Sequence, residues 1–237
     1  MNYELITNDH HKNNCALFKC SDNRNIFYKK VSFSESSNSI IENEKKGYSW
    51  FFSRIGEKDK TELVKTPFYE INIPEFKGMK FPFNYKFPRN ATIVELIIEF
   101  YKTYWFGIDK IAVQGDLALS NVVCGHNNEI YIIDWEHFHI ANSEYFGFDI
   151  IHLLFLTIFQ RVNKINISEQ NFLKNCYNMI CDKASNGNKI LEKPFVNSQK
   201  YMIEFSDQFN LNIPIEEKFV LAQFPKNLLE KLDLIIT

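Results

Sequence analysis

One stretch in the middle of the chain is the most informative: Val113-Gln-Gly-Asp-Leu-Ala-Leu-Ser-Asn-Val-Val123, a turn at Gly125-His-Asn-Asn128, and then Ile130-Tyr-Ile-Ile-Asp-Trp-Glu136. Asp116 and Asn121 lie in a polar turn after an apolar segment, and Asp134 ends the next apolar strand. Carboxylate and amide oxygens are the ligands that hard cations such as Mg²⁺ prefer. Because the three side chains lie on adjacent turns, we expect them to converge on one point.

The same residue types also have a purely structural explanation. Asp and Asn are common in turns because they hydrogen-bond their own backbone, so a single pair at this spacing indicates little. The combination of strand, Gly-Asp, Asn, hairpin and Asp-Trp-Glu is more specific. It favours phosphoryl transfer, in which a base orients the attacking hydroxyl and metal neutralises the charge on the phosphates.

These residues resemble the signature of the aminoglycoside phosphotransferase and choline kinase-like family, H-G-D-x-x-x-x-N followed by I-D-[WF]-[ED]. The resemblance implies a bilobal, protein-kinase-like α+β fold, with ATP or GTP as phosphate donor and Mg²⁺ as cofactor. It implies that Asp116 is the catalytic base and that Asn121 and Asp134 hold magnesium. Asp149, in Gly147-Phe-Asp-Ile150, matches a family residue that we interpret as structural support of the catalytic loop.

The chain departs from the signature at Gln114, where the family usually has His. That His mainly holds the loop by hydrogen bonds, and Gln offers both a donor and an acceptor. We therefore expect Gln114 to support the loop as well. Glu136, directly after the Asp-Trp pair, is a candidate acceptor-site residue.

The family also implies a strand lysine that holds the α and β phosphates and pairs with a helix glutamate. Lys29 and Lys30 both lie in a predicted strand, and their side chains point to opposite faces because strand side chains alternate. We choose Lys30, with Glu44 as its partner and Glu42 as the alternative. Without the downstream motif, solvated surface charges would be the better interpretation.

A second departure concerns the phosphate-covering loop, because the first glycine of the chain is Gly47. The turn at 8–14, with His10, His11 and Lys12, is a candidate covering segment. The alternative interpretation is that this N-terminal turn is disordered. We expect the adenine pocket near 79–87.

The flanking sequence predicts two lobes. Residues 1–87 contain short strands and one helix and are expected to form a small, mainly antiparallel lobe, which the resemblance implies binds nucleotide. Residues 88–237 are expected to form a larger, mainly helical lobe, which the resemblance implies is catalytic and binds the acceptor. The predicted strands are 3–7, 16–20, 26–33, 68–73 and 79–83, with later strands at 111–113, 121–123 and 129–133. The predicted helices are 37–55, 92–105, 146–162, 169–183, 198–209 and 216–236, the second with a capping box at Thr92 and Glu95.

Composition limits the remaining choices. A net charge of −2 gives no reason to expect nucleic-acid binding. The N-terminus is polar, and the longest apolar run is only Ile150–Phe159. The five cysteines show no C-x-x-C spacing. We therefore expect a cytoplasmic protein without an integral membrane segment.

Three functions remain. The first is an ATP-dependent phosphotransferase acting on a hydroxyl of a small molecule, such as a sugar, glycan precursor, amino alcohol or aminoglycoside-like acceptor. The second is a pseudokinase or ligand-binding protein without turnover, favoured by Gln114 and the missing glycines. A protein kinase is the least favoured, because Asp134-Trp-Glu replaces Asp-Phe-Gly and no Ala-Pro-Glu follows.

Overall fold

A computed structural model describes residues 1–9, 14–22, 25–80, 91–107, 109–159, 164–208 and 220–237. The chain divides into two compact units, Met1–Met79 with Val123–His139, and Lys80–Val122 with Ile140–Thr237. Each unit is described by itself below. The predicted boundary between residues 87 and 88, the adenine-pocket residues 81–87 and residues 10–13 of the covering turn lie outside the described residues.

The first unit is built mainly from strands around one long helix. Its elements are β1 (Asn2–Asp9), β2 (Cys15–Ser21), β3 (Ile26–Ser32), α1 (Glu35–Ile55), β4 (Glu62–Val64) and β5 (Glu70–Pro74). The five strands form one sheet in the order β1-β2-β3-β5-β4, and every neighbouring pair is antiparallel. In this register, Lys30 of β3 lies opposite Leu17 of β2 and Ile71 of β5.

Local sequence signals set the ends of α1. Ser34 caps its N-terminus in a capping box with Ser37. At the other end Gly56 adopts a left-handed φ of 74°, which glycine tolerates without a steric penalty. The helix turns Ile41, Phe51 and other apolar side chains into the core of the unit.

The Asp-Trp-Glu segment contributes the largest side chain of that core. Trp135 is fully buried, donates its Nε1–H to the carbonyl of Ile132 at 2.9 Å, and contacts the rings of Tyr48, Phe51 and Phe138. A Cβ built on Gly47 would lie 2.4 Å from the Cβ of Trp135. The first glycine of the chain therefore allows α1 to approach this tryptophan.

Gly47→Ala should consequently destabilise the protein, although the same change usually stabilises a helix interior by about 1 kcal/mol. We expect a loss of about 1 to 3 kcal/mol in the free energy of unfolding, because overpacking forces Trp135 or α1 to move. Urea titration measures it. Lys46→Ala, at the exposed neighbouring position, is the control and should change stability little; a neutral Gly47→Ala would contradict the close approach.

The second unit is mainly helical. Its helices are α2 (Ala91–Tyr104), α3 (Phe148–Ile158), α4 (Ile167–Cys181), α5 (Lys189–Glu192), α6 (Pro194–Gln208) and α7 (Lys226–Ile236). Helix α3 packs against α6, α6 against α7, and α2 against α4. The Asp233 carboxylate of α7 accepts the N–H groups of Phe195 and Val196, at 2.7 Å and 3.3 Å, in the first turn of α6.

The remaining strands are short. They are β6 (Met79–Lys80), β7 (Lys110–Val113), β8 (Val122–Cys124), β9 (Ile130–Ile132) and β10 (His139–Asn142). Strand β7 pairs with β10, and β8 lies between β6 and β9. The predicted hairpin around Gly125 is confirmed: its strands β8 and β9 are neighbours, and the Gly125 N–H donates to the carbonyl of Glu129.

The mixed α/β class, with an antiparallel sheet and a helical region, is therefore confirmed. Three local predictions were wrong or incomplete. Thr92 lies inside α2, which already begins at Ala91, so it is not the cap. The predicted helix 216–236 does not continue through Pro225, which has no backbone N–H to donate, and α7 begins directly after it. Strands β4 and β10 and the short helix α5 were not predicted.

Among the described residues, no helix is both long and apolar enough to span a lipid bilayer. All five cysteines are free thiols.

Candidate active site

In the first unit, Lys30 lies at the centre of three carboxylates. Its Nζ is 2.8 Å from Glu44 Oε2, 3.1 Å from Glu136 Oε2 and 3.2 Å from Asp134 Oδ1. The lysine side chain is 11% exposed and that of Glu44 is 2% exposed. The strand thus supplies one buried cation, and α1 and the segment after β9 supply the anions.

The electrostatics follow from this imbalance of charge. Burial by itself lowers the pKa of Lys30, but Asp134, Glu44 and Glu136 together raise it well above its ordinary value. Burial raises the pKa of Glu44 to about 7, against the opposing effect of Lys30. One ammonium cannot fully compensate three carboxylates, and Glu44 is the least exposed of the three.

The structure distinguishes the two candidate lysines and the two candidate glutamates. Lys29 points to the other face of β3 and pairs with Glu70 at 2.7 Å, and both side chains are partly exposed. Glu42 pairs with Lys65, whose side chain is 55% exposed. Of the four, only Lys30 and Glu44 form a buried pair.

Asp134 is held in an uncommon backbone conformation. Its φ is +61°, a left-handed value that few residues other than glycine adopt. Its backbone forms a hydrogen bond with the buried Tyr48 side chain, and the next residue, Trp135, is buried in the core. The fold around it therefore fixes the backbone of Asp134, and its carboxylate is 42% exposed.

Glu136 belongs to the same cluster. Besides Lys30, its carboxylate contacts His137 Nε2 at 3.1 Å, and its backbone carbonyl accepts a hydrogen bond from Asn43 at 2.8 Å. The structure thus places the candidate acceptor-site residue beside the lysine.

In the second unit, the loop that carries Asp116 is held by its neighbours. The Asp149 carboxylate accepts the N–H groups of Gln114 and Gly115, both at 3.0 Å. Gln114 Oε1 in turn accepts the N–H of Asp116 at 2.8 Å. Gly115 has a φ of +92°, a conformation that favours glycine. This backbone conformation explains why a glycine precedes Asp116 in the motif.

Asn121 closes the other side of the loop. Its Nδ2 donates to the backbone carbonyl of Asp116 at 2.9 Å. This bond uses the donor end of the amide, and it leaves Oδ1 as the atom that can bind a cation. Asn121 is buried, whereas the Asp116 side chain is 35% exposed.

Sequence reasoning missed one residue of this loop's surroundings. His152 of α3 is fully buried, with Nδ1 3.2 Å from the carbonyl oxygen of Leu117 and Nε2 3.9 Å from Asp116 Oδ1. The available signal was weak: a histidine inside the apolar run 150–159, one helical turn after Asp149.

Asp149 gives a prediction for the pH dependence of stability. Burial raises its pKa to about 6, against the lowering effect of the Gln114 and Gly115 N–H groups and of Trp105. A carboxyl whose folded-state pKa is raised stabilises the fold below its unfolded pKa, near 3.8, and this contribution is lost as the pH rises through about 6. Relative to the Asp149→Asn variant, the free energy of unfolding of the wild-type protein should fall by on the order of 1 to 3 kcal/mol as the pH rises between these values.

Urea titrations at pH 4, 5, 6 and 7 measure this difference, the pH values being chosen to run from near the unfolded pKa to above the folded one. Asp182→Asn, at an exposed position after α4, is the control and should show no such trend. A difference that stays constant across the range would show that Asp149 keeps its ordinary pKa.

The structure thus brings the predicted site residues together in two groups. Lys30, Glu44, Asp134 and Glu136 cluster in the first unit, and Gln114, Asp116, Asn121 and Asp149 cluster in the second. The predicted convergence of Asp134 with Asp116 and Asn121 involves both units and stays a prediction.

Comparisons with known proteins bear on the fold. A scan against models of protein families gives no match, and a search of curated proteins gives no significant one. Among solved structures, an ethanolamine kinase of Plasmodium vivax matches with a TM-score of 0.57 at 11% identity, covering 98% of this chain and 81% of that one.

Two other solved structures align with lower scores. An amicoumacin kinase in complex with AMP-PNP and Ca²⁺ has a TM-score of 0.47 at 12% identity, covering 93% of this chain and 91% of that one. A microcompartment-associated aminopropanol kinase has a TM-score of 0.46 at 10% identity, covering 99% and 89%. The likeness to this ethanolamine kinase, over nearly the whole chain, confirms the resemblance at the level of the fold: the chain has a kinase-like fold.

Proposed function

We propose that the protein is an ATP-dependent phosphotransferase that transfers the γ-phosphate to a hydroxyl group of a small molecule. The observation that carries the proposal is the buried ion pair between Lys30 and Glu44 at 2.8 Å. A strand lysine fixed by a helix glutamate is the arrangement with which kinases hold nucleotide phosphates. A structural ion pair alone gives no reason for two further carboxylates around the same lysine.

Each remaining group has a role in this chemistry. Lys30 binds the α and β phosphates, and Glu44 keeps its ammonium in place. Asp116 accepts a hydrogen bond from the acceptor hydroxyl and orients its oxygen for attack, since phosphoryl transfer depends mainly on positioning and electrostatics. Gln114 and Asp149 hold the loop, and Glu136 is the candidate contact to the acceptor.

The donor atoms fit magnesium. Asn121 offers an amide oxygen, because its Nδ2 already donates to the Asp116 carbonyl, and Asp134 offers a partly exposed carboxylate. Mg²⁺ commonly binds one or two such protein ligands together with substrate phosphates. When bound, it would neutralise negative charge on the phosphates. We therefore assign Asn121 and Asp134 as its ligands.

The first test is nucleotide binding. ATP at about 100 times its Kd stabilises a protein by about 2.7 kcal/mol, and we expect the Tm to rise by roughly 5 to 10 °C in the presence of Mg²⁺ and much less with EDTA. GTP measured in parallel identifies the preferred donor. If neither nucleotide shifts the Tm, the proposal fails.

The second test is turnover. ADP formation should depend on an added acceptor. Because one protein of similar fold is an ethanolamine kinase, a screen begins with amino alcohols and continues with sugars and aminoglycosides. Nucleotide binding without ADP formation on any acceptor would instead identify a pseudokinase. Gln114 and the absence of glycine before Gly47 are the features that favour that outcome.

A further inference from the structure

His152 occupies a buried position directly behind the loop of Asp116. Its imidazole lies between two oxygen atoms: the Leu117 carbonyl, 3.2 Å from Nδ1, and Asp116 Oδ1, 3.9 Å from Nε2. The first distance is that of a hydrogen bond, and the second is in the range of an ion pair. The ring is fully buried and stacks on Phe148 one turn earlier in α3.

The chemistry of these two neighbours determines which protons the ring carries. A carbonyl and a carboxylate both accept hydrogen bonds, and a neutral imidazole has only one N–H to donate. Only the doubly protonated ring presents a donor to each oxygen. The Asp116 carboxylate of the loop lies within ion-pair distance of Nε2 and can compensate the charge of that ring.

The other contacts of the loop act on its backbone. Gln114 accepts the N–H of Asp116, Asn121 donates to its carbonyl, and Asp149 accepts the two preceding N–H groups. His152 differs because its Nε2 faces the Asp116 carboxylate itself. It can therefore influence the direction of that carboxylate and keep it ionised.

We propose that His152 is a positioning residue, an imidazolium that orients the Asp116 carboxylate toward the acceptor hydroxyl. This inference rests on the proposed function, since it presupposes that Asp116 acts on a hydroxyl. His152 itself does not contact the reacting atoms.

Two conservative variants separate the two ring nitrogens. His152→Gln places an amide donor near the position of Nε2, and His152→Asn places one near the position of Nδ1. We expect His152→Gln to keep kcat within about threefold of the wild-type value. We expect His152→Asn to lower kcat about 10- to 100-fold without changing the KM for ATP, as is typical when a supporting contact of a functional group is lost.

A merely structural role gives a different pattern. If the contact with Leu117 were the important one, His152→Asn would be the active variant and His152→Gln the impaired one. That result, or equal wild-type activity in both variants, would overturn the inference.

A spectroscopic measurement does not require turnover. In protein labelled with ¹⁵N-histidine, the signals of His152 are identified by their loss in His152→Gln. We expect both ring nitrogens to be protonated at pH 7, and an unprotonated Nε2 would overturn the inference. If the wild-type protein transfers no phosphate to any acceptor, the proposed function fails, and this spectrum still decides the state of the ring.

Discussion

Asp116→Asn should bind ATP as tightly as the wild-type protein and transfer phosphate about 10²- to 10⁴-fold more slowly. This range is the usual contribution of a positioned acid or base. The loop should keep its shape, because Gln114 and Asn121 hold the backbone of Asp116 and not its carboxylate. The substitution removes the negative charge that we propose orients the acceptor hydroxyl, and it leaves a side chain of nearly the same size.

The measurement combines turnover with the nucleotide-dependent rise in Tm. Asp109→Asn, an exposed position just before β7, is the matched control and should leave both unchanged. Loss of turnover with an intact Tm shift assigns Asp116 to the chemical step. Wild-type turnover in Asp116→Asn would remove it from the mechanism.

Much of the fold could be predicted from local sequence because local signals agree with one another. Short runs rich in aromatic and β-branched residues between polar turns predicted β2 and β3, and the helical spacing from Ile40 to Ile55 predicted α1. Strand β4 was missed because three residues, Glu62–Val64, carry too little periodicity. Its place at the edge of the sheet depends on pairing with β5, which local sequence does not encode.

The site shows the same limit. Strand alternation separates Lys29 from Lys30, but which face meets α1 is decided by packing. The role of Gly47 is equally non-local, because its contact with Trp135 joins residues far apart in the chain. His152 was missed because an apolar run predicts only a buried helix. A single histidine within that run gives no indication of the loop that packs against it.

Lys30→Met should destabilise the protein by about 3 to 5 kcal/mol and abolish the ATP-dependent rise in Tm. Removing one partner of a buried ion pair leaves an uncompensated charge, and here three carboxylates lose their shared cation. Glu44 is the one that matters most for stability, since it is almost completely buried, whereas Asp134 is substantially exposed to water.

Lys29→Met is a matched control on the adjacent position of the same strand. Lys29 and its partner Glu70 are both partly exposed. The Lys29→Met change should therefore lower the free energy of unfolding by no more than about 1 kcal/mol and leave nucleotide binding intact. Urea titration and the Tm shift with ATP and Mg²⁺ measure both effects. Equal behaviour of the two lysine variants would contradict a special role for Lys30.

The double variant Lys30→Met/Glu44→Gln separates stability from function. A neutral Gln at position 44 removes the buried charge that Lys30→Met leaves behind, so the double variant should be more stable than Lys30→Met alone, and the two changes should not be additive. It should nevertheless bind no ATP, because the cation for the phosphates is still missing. Recovery of nucleotide binding together with stability would mean that Lys30 supports the fold only and that another group holds the phosphates.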